Sequence, residues 1–171
     1  MGSMSEARAA GGCASPRCVL LSLGVLLLAS ACAGPGASRE DGALVLSSEA
    51  EEAAASRGAA AARIAIRYVG APYVWGGASP AGFDCSGLVA HVFGRMGVSV
   101  PHNAAQQFQY GVAVSRGQLE PGDVVFFNRL LHNGIYLGAG RFVHATTPGG
   151  VKISRLDDDW FRSRWIGARR L

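Results

Sequence analysis

A chain of 171 residues holds one ordinary domain plus a tail, and its four cysteines are too few for a disulfide-built scaffold. Sixteen basic and twelve acidic residues give a net charge of +4, and fifteen of the sixteen bases are arginine. They form no basic run and no series interleaved with stacking aromatics, which argues against nucleic acid and leaves an anionic wall polymer or membrane surface as the natural partner.

The first 31 residues read as a leader. Arg8 and Arg17 make a basic start, and Val19 to Ala29 supply an almost wholly apolar run of eleven. A membrane-spanning helix takes ~20 such residues, so the segment reads as a secretory signal. It closes on Leu28-Ala29-Ser30-Ala31-Cys32. Small residues before a cysteine resemble the lipobox of bacterial lipoproteins, although Ala29 stands where that pattern usually has Leu. The resemblance implies a signal peptide over 1–31, acylation of Cys32 and a membrane lipid anchor. Ala33 in place of Asp after that cysteine implies the outer membrane, facing the periplasm, in a diderm host. Ordinary cleavage near Ala31 or Ala33, leaving a soluble secreted protein, is the alternative.

Cys13 and Cys18 leave with such a leader and Cys32 carries lipid, so Cys85 remains as a lone thiol in an exported chain, a residue to flag as reactive. Zinc is the competing use of Cys85, His132 and His144. No CxxC or HxxxH spacing supports it, and neither a metal nor a cofactor is expected.

Residues 32–58 are rich in Ala, Ser and Glu and read as a spacer. Residues 59–171 carry twelve basic residues against six acidic ones and form the domain. Ser48-Glu49-Ala50-Glu51 has the form of a capping box, which predicts a helix to about Tyr68, with Gly58 as a weak point and Ala61, Ile64, Ala65 and Tyr68 on one face. Asp84 is a good N-cap for a second helix, in which Cys85, Leu88, Val89, Val92 and Met96 make an inward stripe ended by Gly97. Asn103-Ala104-Ala105-Gln106 opens a third, short helix. After Pro121 the runs Asp123–Phe127, Gly134–Leu137, Arg141–Ala145, Val151–Ile153 and Trp165–Gly167 predict about five antiparallel strands. Helices first and strands afterwards give an α+β domain with the helices on one face of the sheet.

A thiol at a helix start is placed to be a nucleophile, because the helix N-terminus favours the thiolate and lowers its pKa from ~8.5. His132, just ahead of a strand, is the candidate base. A hairpin around Gly138-Ala139-Gly140 sets His144 beside it as the orienting partner. Backbone N–H groups at the helix start, together with the Tyr73 hydroxyl, suit an oxyanion. Taken singly, a Cys on an apolar helix face and a His flanked by Val143 and Ala145 are more often packing residues. Their coincidence carries the reading.

Tyr73-Val74-Trp75-Gly76-Gly77, Phe83-Asp84-Cys85-Ser86-Gly87-Leu88-Val89, Pro121-Gly122-Asp123-Val124-Val125-Phe126-Phe127, His132-Asn133-Gly134-Ile135-Tyr136-Leu137-Gly138 and Phe142-Val143-His144-Ala145 resemble the successive signatures of the NlpC family of papain-like cell-wall cysteine peptidases. The resemblance runs from about Arg63 to Ile166. It implies a papain-like α+β core, hydrolysis of peptide bonds in peptidoglycan stem peptides, Cys85 as nucleophile, His132 as base, His144 as orienting residue, Tyr73 as oxyanion-side donor, and Asp84 and Ser86 in the substrate cleft. Two residues depart from the family pattern: Asn133 replaces the usual Val, where a polar neighbour would rotate or hydrogen-bond the imidazole, and His102 replaces the Arg that contacts a substrate carboxylate. His91 matches no motif and reads as a surface residue. An amidase or acyltransferase on the same scaffold, or a silent wall-binding lipoprotein, are the alternatives, and a monomer is the expected state.

Overall fold

The computed structural model describes the backbone of residues 40–171 and the side chains of 49–171. The leader, the lipobox and Cys32 lie outside the described residues. Helix α1 spans Glu40–Ile66. It therefore begins ahead of the capping box at Ser48, which sits within the helix. The expected inner face holds: Ala61 and Ala65 are fully buried, with Ile64 and Tyr68 packed beside them. Gly58 is a point of contact rather than weakness, since a Cβ there would lie 2.3 Å from the Pro121 carbonyl oxygen. Among the described residues no helix is long and apolar enough to cross a membrane.

A two-stranded ribbon, β1 (Ala78–Ser79) and β2 (Gly82–Phe83), leads into α2 (Cys85–Gly94). The Asp84 side chain accepts from the Gly87 N–H, as an N-cap should. Leu88, Val89 and Val92 are fully buried, while the chain leaves the helix at Gly94 and turns through Gly97, whose φ is +78°. In α3 (Ala104–Gln107) the predicted cap Asn103 accepts from Gln106 N–H at 3.0 Å.

Six antiparallel strands make the sheet: β3 (Val112–Val114), β4 (Val124–Phe127), β5 (His132–Gly138), β6 (Arg141–Thr146), β7 (Gly150–Arg155) and β8 (Trp165–Arg170). They lie in the order β3-β8-β4-β5-β6-β7, so the last strand inserts between the third and the fourth. The five expected strands are all present, and the sixth is the edge strand β3. Successive strand residues point to opposite faces. Val124 and Phe126 accordingly join the cluster under α1 and α2, whereas Val125 and Phe127 join Phe142, Leu156 and Ala168 on the other side. Phe161, from the short α4 (Asp159–Arg162), packs against that second cluster. Covering both faces explains why β4 is a continuous apolar run.

Candidate active site

The turn before α2 and the start of β5 meet. Cys85, the first residue of α2, is a free, half-buried thiol whose Sγ lies 3.9 Å from the Leu131 carbonyl oxygen. Leu131 follows three residues held in the left-handed region, Asn128, Arg129 and Leu130 (φ 51°, 55° and 65°). Such backbone is costly for non-glycine residues, and here it delivers the chain into β5 at His132.

The β5–β6 hairpin pairs Ile135 with Val143 and Tyr136 with Phe142, which sets His132 and His144 on one face of neighbouring strands. Between them in space is Gly134, where a Cβ would come 2.5 Å from Val143 O and 3.0 Å from His144 Cβ. Without that side chain the rings meet. His132 Nε2 and His144 Nδ1 are 2.8 Å apart, with the rings nearly perpendicular at 87°. His144 is 1% exposed, and its Nε2 lies 2.9 Å from the Ser154 hydroxyl on β7. Ser154 is a residue the sequence did not nominate: no motif contains it, and only the strand pairing Phe142–Ser154 brings it near.

The cleft around Cys85 has a volume of about 440 Å³ and includes Tyr73, Asp84, Ser86, His102 and His132 in its walls. His144 lies behind His132 rather than in this wall. Asp84 is a hub. Its Oδ1 accepts from Gly87 N–H (2.7 Å) and the Ser86 hydroxyl (3.1 Å), its Oδ2 accepts from Gly76 N–H (3.0 Å), and His102 Nε2 stands 2.8 and 2.9 Å from the two oxygens. Asp84 thus ties the Trp75-Gly76 loop to the helix start, while the Ser86 hydroxyl is spent on Asp84. His102, one of the two departures from the resembled pattern, pairs with that carboxylate.

Two expectations change. Asn133 does not touch the imidazole. It is fully buried and its Nδ2 donates to Gln107 Oε1 at 2.6 Å, because residue 133 faces the side of the strand away from His132. His91 is not a surface residue. Its ring is half-buried, with Nε2 2.8 Å from the Tyr68 hydroxyl, Nδ1 3.1 Å from Ala78 O, and edge contacts to Tyr68 and Phe83.

Electrostatics favour the neutral forms at rest. Burial pushes the Cys85 thiol up and the Asp84 charge adds to this. The N–H groups of Asn133, Ser86 and Cys85 pull the other way but do not overcome it. The helix start therefore does not depress the thiol below its usual range. Burial, then the Lys152 ammonium, lowers His132 from 6.5 to about 4. Burial, then His132 and Lys152, lowers His144 from 6.5 to about 3. Burial also raises Tyr73, with the charges at Cys85 and Asp84 adding to it, which keeps its hydroxyl a donor. For Asp84, burial acts upward, but the Gly87 N–H, the His102 imidazole and the Ser86 hydroxyl together hold the carboxyl below its ordinary value. Among the described residues no cluster of His, Cys, Asp and Glu is arranged to hold a metal.

The NlpC/P60 family model matches residues 70–170. Gamma-DL-glutamyl hydrolase of Bacillus subtilis is 45% identical over 113 residues, which are 62% of this chain and 27% of that protein. The probable endopeptidase NlpC homolog of Haemophilus influenzae is 34% identical over 113 residues, 66% of this chain and 62% of that one. The chain thus spans about a quarter of the first relative's length. Among solved structures, the NlpC/p60 domain of the peptidoglycan hydrolase SagA superposes with a TM-score of 0.60 at 35% identity, covering 67% of this chain and 98% of that one. The peptidoglycan hydrolase RipB of Mycobacterium tuberculosis gives 0.60 at 30% identity, covering 69% and 66%. With a family model matching more than half its length and structural neighbours that share its papain-like α+β core, this chain belongs to the NlpC/P60 family.

Proposed function

We propose that this chain is a cysteine endopeptidase that hydrolyses peptide bonds in peptidoglycan stem peptides or cross-links through Cys85, His132 and His144. The observation that carries the reading is the hydrogen-bonded line from Ser154 through His144 to His132, which shares its cleft with a free thiol at a helix start. The imidazole of His132 spends Nε2 on His144, which leaves Nδ1 for the thiol. For Nδ1 to accept a proton, His132 must carry hydrogen on Nε2 and donate it to His144 Nδ1. His144 then bears its own hydrogen on Nε2 and donates to Ser154 Oγ. The line as a whole prepares the base.

The reaction follows from neutral partners. Sγ attacks the carbonyl carbon as its proton passes to His132 Nδ1, and the C=O pair moves onto oxygen. Backbone N–H groups at the start of α2 and the Tyr73 hydroxyl meet the oxyanion. Collapse breaks the C–N bond, His132 returns the proton to the departing amine, and a thioacyl-enzyme remains. Water, deprotonated by His132, then releases the acid and the thiol. Asp84 and Ser86 shape the acyl side of the cleft, with Asp84 holding the helix start and the Gly76 loop in register.

Wild-type chain incubated with purified sacculi should release muropeptides resolvable by mass, and Cys85→Ala should release none while keeping its thermal midpoint. Turnover by a folded Cys85→Ala protein refutes the mechanism. The same proposal includes export and acylation at Cys32, supported by the small residues ahead of it. Cys32→Ser should move the protein to the soluble fraction, and an N-terminal peptide without a lipid mass in the wild type refutes anchoring.

A further inference from the structure

Beyond His132 the cleft continues into a second hollow of about 440 Å³, walled by His132, His144, Lys152, Trp160 and Phe161 among others. Leu131, His132, Thr146 and Thr147 border both spaces, so an extended peptide passing Cys85 runs from one into the other across the face of His132. Lys152 is the sole lysine of the chain, and the β6–β7 register sets it opposite His144. Among the described residues it has no carboxylate partner, and the acids that follow it are engaged elsewhere. Asp157 pairs with Arg116, Asp159 with Arg162, and Asp158 accepts from the Arg155 N–H. Trp160 stands edge-on to His132, with ring centroids 5.9 Å apart, and is 43% exposed. The Arg164 guanidinium lies over its ring, 4.9 Å from the centroid.

The chemistry gives this hollow a direction. His132 takes the thiol proton and hands it to the departing amine, so the residue that owns that amine sits on the His132 side, away from the acyl pocket of Tyr73, Asp84 and Ser86. An unneutralised ammonium at this place opposes the imidazolium that forms on His132 during the reaction. A carboxylate docked on Lys152 removes the opposition while it binds. Resting on the reading of this chain as a Cys85 hydrolase, we propose that the hollow is the subsite for the residue on the leaving-amine side and that Lys152 binds a carboxylate carried by that residue. Substrates that lack the carboxylate leave the lysine charge bare beside the base, so the selection acts on turnover as well as on binding. Trp160 supplies the apolar wall along which the rest of that residue lies.

The test uses the purified full-length chain. Muropeptides released from sacculi identify the leaving-side residue. A synthetic stem peptide spanning that bond is then prepared in two forms, with the carboxylates of that residue free or converted to amides. Wild type should favour the free acid by about ten-fold in kcat/KM, the scale of one charge-assisted hydrogen bond in a half-open cleft. Lys152→Met should bring the ratio between the two peptides close to one, and Lys152→Arg should keep most of the preference. Because the readout is a ratio within each variant, a general loss of activity does not imitate it. A leaving-side residue without a free carboxylate, a wild-type ratio near one, or an unchanged ratio in Lys152→Met overturns the subsite and leaves the hydrolase standing. A wild-type chain that releases nothing from sacculi overturns both.

Discussion

Removing the Ser154 hydroxyl tests whether the two histidines act as a line or as a pair. In the productive arrangement His144 Nε2–H donates to Ser154 Oγ at 2.9 Å, and this bond strengthens as positive charge spreads from His132 during proton transfer. A neutral hydrogen bond contributes about 0.5–1.5 kcal/mol net, and one to a charged group up to about 3 kcal/mol. Ser154 is half-buried, so water recovers part of the loss, and the lower end applies. Ser154→Ala should therefore reduce kcat by about three- to ten-fold, at about 1.4 kcal/mol per decade, with KM nearly unchanged. Ser154→Thr, which restores the hydroxyl, should recover most of it. His144→Gln should be more damaged than Ser154→Ala yet more active than His132→Gln, since in the proposed mechanism only His132 exchanges protons with the thiol. The assay is release of a defined muropeptide product at saturating and at limiting substrate, with thermal midpoints measured in parallel. Full activity in Ser154→Ala, or a loss confined to KM, refutes the relay.

The pH profile follows from the lowered imidazoles. His132 accepts a proton only while neutral and its pKa lies at about 4, so kcat/KM should hold down to pH 5 and fall through pH 4, not near 6.5. An acid limb at 6.5 in a protein shown to be folded there by circular dichroism refutes burial as the controlling influence. The same two depressed histidines, at about 4 and about 3, cost the fold nothing above pH 6.5, where both are neutral folded or unfolded, so stability is greatest there. Stability falls as pH drops from 6.5 toward those values, because the unfolded chain binds protons that the folded one refuses. Gly58→Ala gains about 1 kcal/mol of helix propensity. It also places a Cβ 2.3 Å from the Pro121 carbonyl oxygen, an overlap with backbone rather than with a flexible side chain, whose cost stands near the top of the ~1–3 kcal/mol range for overpacking. A fall in thermal midpoint of a few degrees is expected, and an unchanged or raised midpoint refutes the contact.

What the sequence made legible was whatever local chemistry controls. Asp84 and Asn103 cap their helices because a short side-chain oxygen beside free N–H groups is a local solution. The inner stripes of α1 and α2 follow from period alone. The His132–His144 contact was readable because both residues belong to one hairpin. The residues missed are those whose role depends on pairing between strands or on segments distant in sequence. Ser154 becomes visible only through the β6–β7 register, and Lys152 only once that register sets it opposite His144. β3 carries no sequence signal, because three small or β-branched residues show no period, and its place beside β8 is a contact with the C-terminal end of the domain. The burial of His91 is hidden for a similar reason. Its partners Tyr68 and Ala78 come from other elements, and nothing in the helix sequence announces them.

Asn133 shows how a departure from the family pattern is absorbed and put to use. Gln107 Nε2 donates to Ser86 O (2.9 Å) and Pro101 O (2.6 Å), which fixes its amide so that Oε1 accepts from Asn133 Nδ2. Asn133 Oδ1 is then left without a partner among the described residues. An orphaned buried acceptor costs about 1–3 kcal/mol, so this pair is not retained for stability alone. What it does is positional. One end of the network holds the carbonyl of Ser86, in the first turn of α2 beside Cys85, and the other holds the residue immediately after His132. Replacing Asn133 with an apolar residue of similar size strands only Gln107 Oε1 and removes the orphaned Oδ1, whereas replacing Gln107 strands Asn133 Nδ2 and also withdraws the donor from Ser86 O and Pro101 O. Gln107→Leu should therefore lower the thermal midpoint more than Asn133→Leu, and equal midpoints refute this account. Gln107→Leu should also reduce activity, because its amide ties the residue after Cys85 to the residue after His132.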